Sequence, residues 1–141
     1  MAIPFVDTDV IIRLLTGDDP VKQAQAASLF EQVEQGKLSL AAPDTVIADA
    51  VFVLASPRLY HVPRAEVAAL LIPLVQLSGF RIANRHAVLA ALALYGATPQ
   101  LDFGDALLIT SMQEAGAQII YSYDRHFDGI PGLLRRQPSS S

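Results

Sequence analysis

Short apolar stretches alternate with helix-length segments along nearly the whole chain, and this alternation narrows the fold more than any other feature. "IPFVD", "LSLAA", "FRIA" and "QIIYSYD" read as strands. Between them lie segments with helical signals. "TDVIIRLL" reads as a turn or two of helix stopping at Gly17. Asp19-Pro20 pairs an aspartate cap with proline at the first helical position, and Ala26, Leu29, Phe30 and Val33 then fall on one face as far as Gly36. Pro43 opens a helix through Val46, Ile47, Val51, Phe52 and Leu54. After the loop "SPRLYHVP", a helix begins at Arg64 that Pro73 is expected to kink or end. Asn84 is expected to cap "RHAVLAALALYG", and "DFGDALLITSMQEAG" is the next helix, closed by Gly116. Such an order predicts an α/β fold, a three-layer α/β/α sandwich with a mostly parallel central sheet. Residues 1–134 are expected to form one domain and 135–141 a flexible tail after the turn-rich "RHFDGIPGLL".

Composition limits the chemistry. The 141 residues are 52% hydrophobic and 17% charged, the balance of a folded globular domain. There is no cysteine, which excludes disulfides, thiolate zinc sites and cysteine nucleophiles and fits a reducing compartment. The first residues lack the basic and long apolar regions of a signal peptide, and "VAALLIPLVQL" is too short to span a bilayer. The expectation is a cytoplasmic protein without membrane contact. A net charge of −4 argues against a general nucleic-acid coat.

Ten of the fourteen acids are aspartates, a residue that favours caps, turns and rigid sites over helix interiors. Asp18, Asp19 and Asp44 are explained by turns and helix starts. Others are less easily explained so. Asp7 and Asp124 each close a strand, and sites in open parallel sheets form beyond the carboxyl ends of strands. Asp49 interrupts the apolar helix "TVIADAVFVLA". Asp102 and Asp105 share one face at a helix start, where a cap accounts for the first more readily than the second.

Clustered acids need compensation. Two carboxylates about 4 Å apart repel by about 1 kcal/mol in water and by about 4 kcal/mol at an effective dielectric of about 20. Carboxylate oxygens match a hard divalent cation, Mg²⁺ or Mn²⁺. His61, His86 and His126 stand at spacings that do not suggest zinc, and His126, close behind Asp124, is weighed as a supporting partner of that acid and read as a loop histidine. A carboxylate-held cation on an α/β sheet suits phosphoryl transfer, where it lowers the pKa of an attacking water and stabilises the leaving oxygen. Aspartyl-phosphate chemistry would use the pair Asp7 and Asp9, but it also needs a downstream lysine. The only lysines are Lys22 and Lys37. No P-loop is present either. What remains is direct attack by water, as in a metal-dependent nuclease.

The segments "FVDTDVIIRLLTGDDP", "APDTVIADAVFVL", "LDFGDALLITSM" and "IIYSYDRHFDGIPGL" together resemble a PIN-domain protein, in particular a VapC-like toxin ribonuclease of a toxin–antitoxin pair. The resemblance runs from Ile3 to about Leu134. It implies a Mg²⁺- or Mn²⁺-dependent endoribonuclease that leaves a 5′-phosphate and a 3′-hydroxyl on RNA. It also implies a homodimer and a cognate antitoxin that occupies the active-site groove. The family's four acids would fall on Asp7, Asp49, Asp105 and Asp124, with Asp102 as an extra aspartate and Thr8 as a hydroxyl that fixes the first acid.

Two positions depart from the pattern. Asp49 stands where the family usually has glutamate, a loss of about 1.5 Å of reach. Asp9 stands where asparagine is common, adding a negative charge. These departures keep open a second reading, a catalytically weak or inactive PIN-fold binding module. Arg13, Arg58, Arg64 and Arg125 are weighed as phosphate contacts against surface solvation, and Tyr60 and Phe103 as base-stacking groups. The strip Val67, Leu70, Leu71 and Leu74 reads as core or as a partner-binding face.

Overall fold

A computed structural model describes residues 2–139. Helix α1 (Thr8–Leu15) starts where the Asp7 carboxylate accepts from the Thr8 amide, and α2 (Pro20–Glu34) starts where Asp19 accepts from the Lys22 amide. Strand β1 (Leu40–Ala42) follows, then α3 (Asp44–Ala55) and α4 (Arg64–Val75). Strand β2 (Phe80–Ile82) leads into α5 (Arg85–Ala97), and α6 (Phe103–Ala115) ends at Gly116, whose left-handed backbone suits glycine. Strand β3 (Ile119–Tyr121), a single 3-10 turn at 125–127 and strand β4 (Leu134–Arg136) complete the order.

All strand pairs are parallel, as expected of an α/β fold, but they are short and fall into two pieces. β1 pairs with β2, and β3 pairs with β4. The stretch "IPFVD" forms one parallel bridge, Phe5 to Ala41, rather than a full strand, with the Val6 amide donating to the Ala41 carbonyl at 3.0 Å. Asp7 therefore leaves the first piece of sheet, and Asp124 follows a strand of the second.

Three local expectations change. Pro73 does not end α4, which runs two residues beyond it to Val75. Asn84 precedes α5 in a left-handed conformation and makes no side-chain cap; its amide donates instead to Asp44 at 3.4 Å. Arg135 and Arg136, expected in a flexible tail, belong to β4 and pair with Ile120 and Tyr121. Ser140 and Ser141 lie outside the described residues.

Two apolar clusters hold these elements. The larger gathers Val6, Ile11, Phe30, Ile47, Leu54, Phe80 and Leu92 with their neighbours, and Phe80 meets Phe30 edge to face at 5.4 Å. Val67, Leu71 and Leu74 of the α4 strip are buried in it, while Leu70 is half-buried and lines a surface groove. Helices α4 and α5 approach closely at Gly96, where a Cβ would lie 3.0 Å from that of Ala68. The smaller cluster joins Leu101, Ile109, Met112, Ile120 and Phe127. Helix α6 contributes to both.

Candidate metal centre

Asp105 projects from the first turn of α6 and is half-buried. Its placement follows from Asp102, whose Oδ1 accepts from the Asp105 amide at 2.7 Å and so fixes where the helix begins. Asp102 is thus a helix cap, and its charge also stands beside Asp105. Burial first, then the Asp102 and Asp124 carboxylates, hold the Asp105 carboxyl above its ordinary range.

Asp124 closes the segment after β3 and caps the short 3-10 turn, its Oδ1 accepting from the His126 amide at 2.9 Å. Its own amide donates to Ser122 Oγ at 2.9 Å. The turn brings the His126 ring back over the carboxylate, with Nδ1 3.1 Å from Oδ1. Asp105, Asp124 and His126 each offer one ligand atom, all within 4.8 Å of one another.

Two of the expected acids therefore converge, and the third member of the group is His126, which the sequence favours as a loop residue over a partner of Asp124. Its signal is the i, i+2 spacing of Asp124 and His126. That spacing is uninformative until the intervening turn is seen to be 3-10. The donor set of two carboxylates and one imidazole, with negative charge that already raises the Asp105 pKa, fits a divalent cation.

Asp7 and Asp49 stand outside this group of three. Asp7 is exposed, its Oδ1 accepting from the Thr8 amide at 2.8 Å. Thr8 Oγ1 donates to the Val46 carbonyl at 3.4 Å, which ties the start of α1 to α3. Asp49 lies one turn beyond Val46 and is exposed. Thr8 therefore joins the elements that carry Asp7 and Asp49. Asp9 is exposed in the first turn of α1 and lines a groove of about 430 Å³ with Arg13 and Lys22. A second groove, about 420 Å³, runs beside Asp102 between α3 and α6 and exposes Phe52.

Arg135 is a residue that sequence reasoning missed. Its Nε and Nη2 donate to the two Asp128 oxygens at 2.8 and 3.3 Å, and its Nη1 donates to the Ser122 carbonyl at 3.1 Å. It grips the segment bearing Asp124 and His126 from both ends. The same guanidinium holds the Asp128 carboxyl below its usual range.

Several residues weighed as RNA contacts have other partners. Arg64 donates to the carbonyls of Tyr95, Thr98 and Leu101 at the end of α5, with its guanidinium carbon 4.1 Å from the centre of the Tyr95 ring. It closes a helix and is not free for phosphate. Tyr60 donates to Asp18 at 2.6 Å and Arg13 to the same carboxylate at 3.2 Å, so the loop after α3 is fastened to the α1–α2 turn. Phe103 is buried against Tyr95. Arg58 and Arg125 remain exposed.

The PIN domain model matches residues 5–133, which spans β1 to β3, helices α1 to α6 and the converging acids. The chain belongs to the PIN-domain family. PIN domains are in general metal-dependent nucleases and typically bind RNA, and the group formed by Asp105, Asp124 and His126 lies within the matched residues. No curated protein shows significant similarity to this PIN domain. Among the described residues, no helix is long and apolar enough to cross a membrane.

Proposed function

We propose that this PIN domain is a Mg²⁺- or Mn²⁺-dependent endoribonuclease, the toxin of a VapC-like toxin–antitoxin pair, acting in the cytoplasm as a homodimer. The observation that carries the nuclease reading is the meeting of Asp105 and Asp124, from α6 and from the segment after β3, at ligand-sharing distance. The toxin assignment, the dimer and the antitoxin rest on the sequence resemblance alone.

Asp105 and Asp124 would hold the cation, with Asp7 and Asp49 completing its surroundings directly or through water. When bound, the cation supplies charge to the scissile phosphate and makes an attacking water more acidic. The chain's own groups set the geometry. Asp102 fixes the first turn of α6 and hence the height of Asp105. Ser122 and Arg135 hold the segment that presents Asp124. Thr8 locks the start of α1 against α3, so that Asp7 and Asp49 stay on neighbouring supports. Asp9 adds negative charge near Asp7, which would either compensate for the short Asp49 or raise the pKa values of neighbouring acids.

One observation favours the second reading, a catalytically weak binding module. Asp49 is shorter than the usual glutamate and lies outside the group of three. RNA cleavage separates the two readings. Purified protein with Mn²⁺ and structured RNA should give cleavage that EDTA stops and that Asp105→Asn abolishes. Cleavage that needs no metal and survives Asp105→Asn would overturn the mechanism. Metal binding without cleavage would establish the binding module.

A further inference from the structure

The group at the candidate centre is not purely carboxylate. Its third member is the His126 ring, a nitrogen donor of softer character than the oxygens beside it. Asp124 Oδ1 and His126 Nδ1 are 3.1 Å apart. In octahedral coordination with bonds of about 2.1 Å, adjacent ligand atoms are separated by about 3 Å. The two atoms are thus spaced as neighbours on a single ion. The backbone produces this spacing, because the His126 amide bonds to the same Asp124 oxygen and closes the turn. Arg135 braces that turn from both sides. The ring itself is 59% exposed, so it can adjust towards an ion without breaking core packing. Asp7 and Asp49 lie outside the group, and His126 is the third donor that stands with the Asp105–Asp124 pair.

We propose that His126 is a ligating arm of this metal centre and shifts its preference from Mg²⁺ towards a first-row transition ion such as Mn²⁺. The proposal rests on the metal-dependent reading above. Mg²⁺ keeps its waters and favours oxygen donors, whereas imidazole contributes much more to binding of transition ions. A centre of two carboxylates alone would discriminate little between the two. Adding the ring gives the transition ion a bond that Mg²⁺ uses poorly.

The test uses the full chain and two ions. Calorimetric titration with Mn²⁺ and with Mg²⁺ gives the affinity ratio, and pulsed electron paramagnetic resonance of the Mn²⁺-loaded protein reports nitrogen bound to the ion. The expected result is a nitrogen coupling in the wild type that disappears in His126→Gln. That variant should lose about tenfold in Mn²⁺ affinity with little change for Mg²⁺. The ring is exposed, so the variant should fold, and circular dichroism with His126→Asn as a second variant checks this. Mn²⁺ bound without nitrogen coupling would overturn the ligand role and leave the metal-dependent reading standing. So would coupling that survives His126→Gln, or an equal loss of both ions. A wild type that binds neither ion would overturn both readings together.

Discussion

The larger core and the smaller one support the candidate centre in different ways. The larger is a continuous apolar mass drawn from both ends of β1–β2 and from every helix, and it includes Phe103 and Ala106 of α6. The smaller has five buried residues, two of them further along α6 and two from the chain after it. Asp105 sits on α6 between Phe103 and Ala106, so it is held by the larger core. Asp124 and His126 sit on a turn that rests on the smaller core through Phe127 and is strapped by Arg135. One side of the centre is held by packing, the other by a turn and a guanidinium. The metal-binding geometry should therefore be lost more easily on the Asp124 side than the fold is.

The contrast can be broken most forcefully in the larger core. Leu54 is fully buried there, and Leu54→Ala should cost about 2–5 kcal/mol and lower the whole melting transition. Calorimetry should show one cooperative loss with every other property following it. Arg64→Ala removes a half-buried clasp on three carbonyls, leaves that of Leu101 without this donor while Tyr95 and Thr98 keep backbone partners, and should cost about 1–3 kcal/mol. Metal affinity measured below the transition should fall less than it does in Arg135→Gln, because Arg64 holds the Leu101 carbonyl beside Asp102 but touches no member of the centre. A large loss of metal affinity would mean that this end of the fold is coupled to the centre.

On the other side, Arg135→Gln should leave the main transition almost in place while metal affinity falls about tenfold. Hydrogen exchange should locate the loosening at residues 122–128. If Arg135→Gln lowers the melting transition as far as Leu54→Ala, the two regions unfold as one and the contrast fails.

The smallest effect concerns pH without metal. Native Asp105 holds its proton more tightly than the unfolded chain does, because of burial and the Asp102 and Asp124 charges. Its contribution to stability is therefore full below the ordinary value near 3.8 and is lost as pH rises through the raised native value. Metal-free Asp105→Asn should melt slightly above the wild type at neutral pH, with the gain vanishing in acid. The same substitution removes a ligand, so added metal should reverse the order. A metal-free variant that melts lower at neutral pH would show that Asp105 is stabilising in its charged form.

Much of this arrangement was legible in local signals. Asp19-Pro20, Asp102 and Gly116 mark helix ends because caps and left-handed glycines act within a few residues. The α/β alternation gave the fold class for the same reason. Non-local features were harder to read. "LRR" looks like the start of a polar tail until β3 is placed beside it, and Arg135 finds Asp128 and Ser122 only after that pairing. Arg64 looks like a surface charge until α5 ends against it. Asn84 has the composition of a cap but a backbone that turns its side chain elsewhere. At the centre, the sequence pointed to Asp105 and Asp124 through strand ends and an unexplained helix acid. The nearness of His126 to Asp124 is visible in the sequence, but its approach to that carboxylate depends on one short turn.

The central claim is that Asp105 and Asp124, held by different parts of the fold, share a divalent ion. The direct measurement is the metal dependence of melting for the wild type, Asp105→Asn and Asp124→Asn. Millimolar Mn²⁺ should raise the wild-type melting temperature, and each substitution should remove most of that rise, since an ion bound only by the native state stabilises by mass action. A wild type that does not respond, or a response that persists undiminished in both variants, would contradict it.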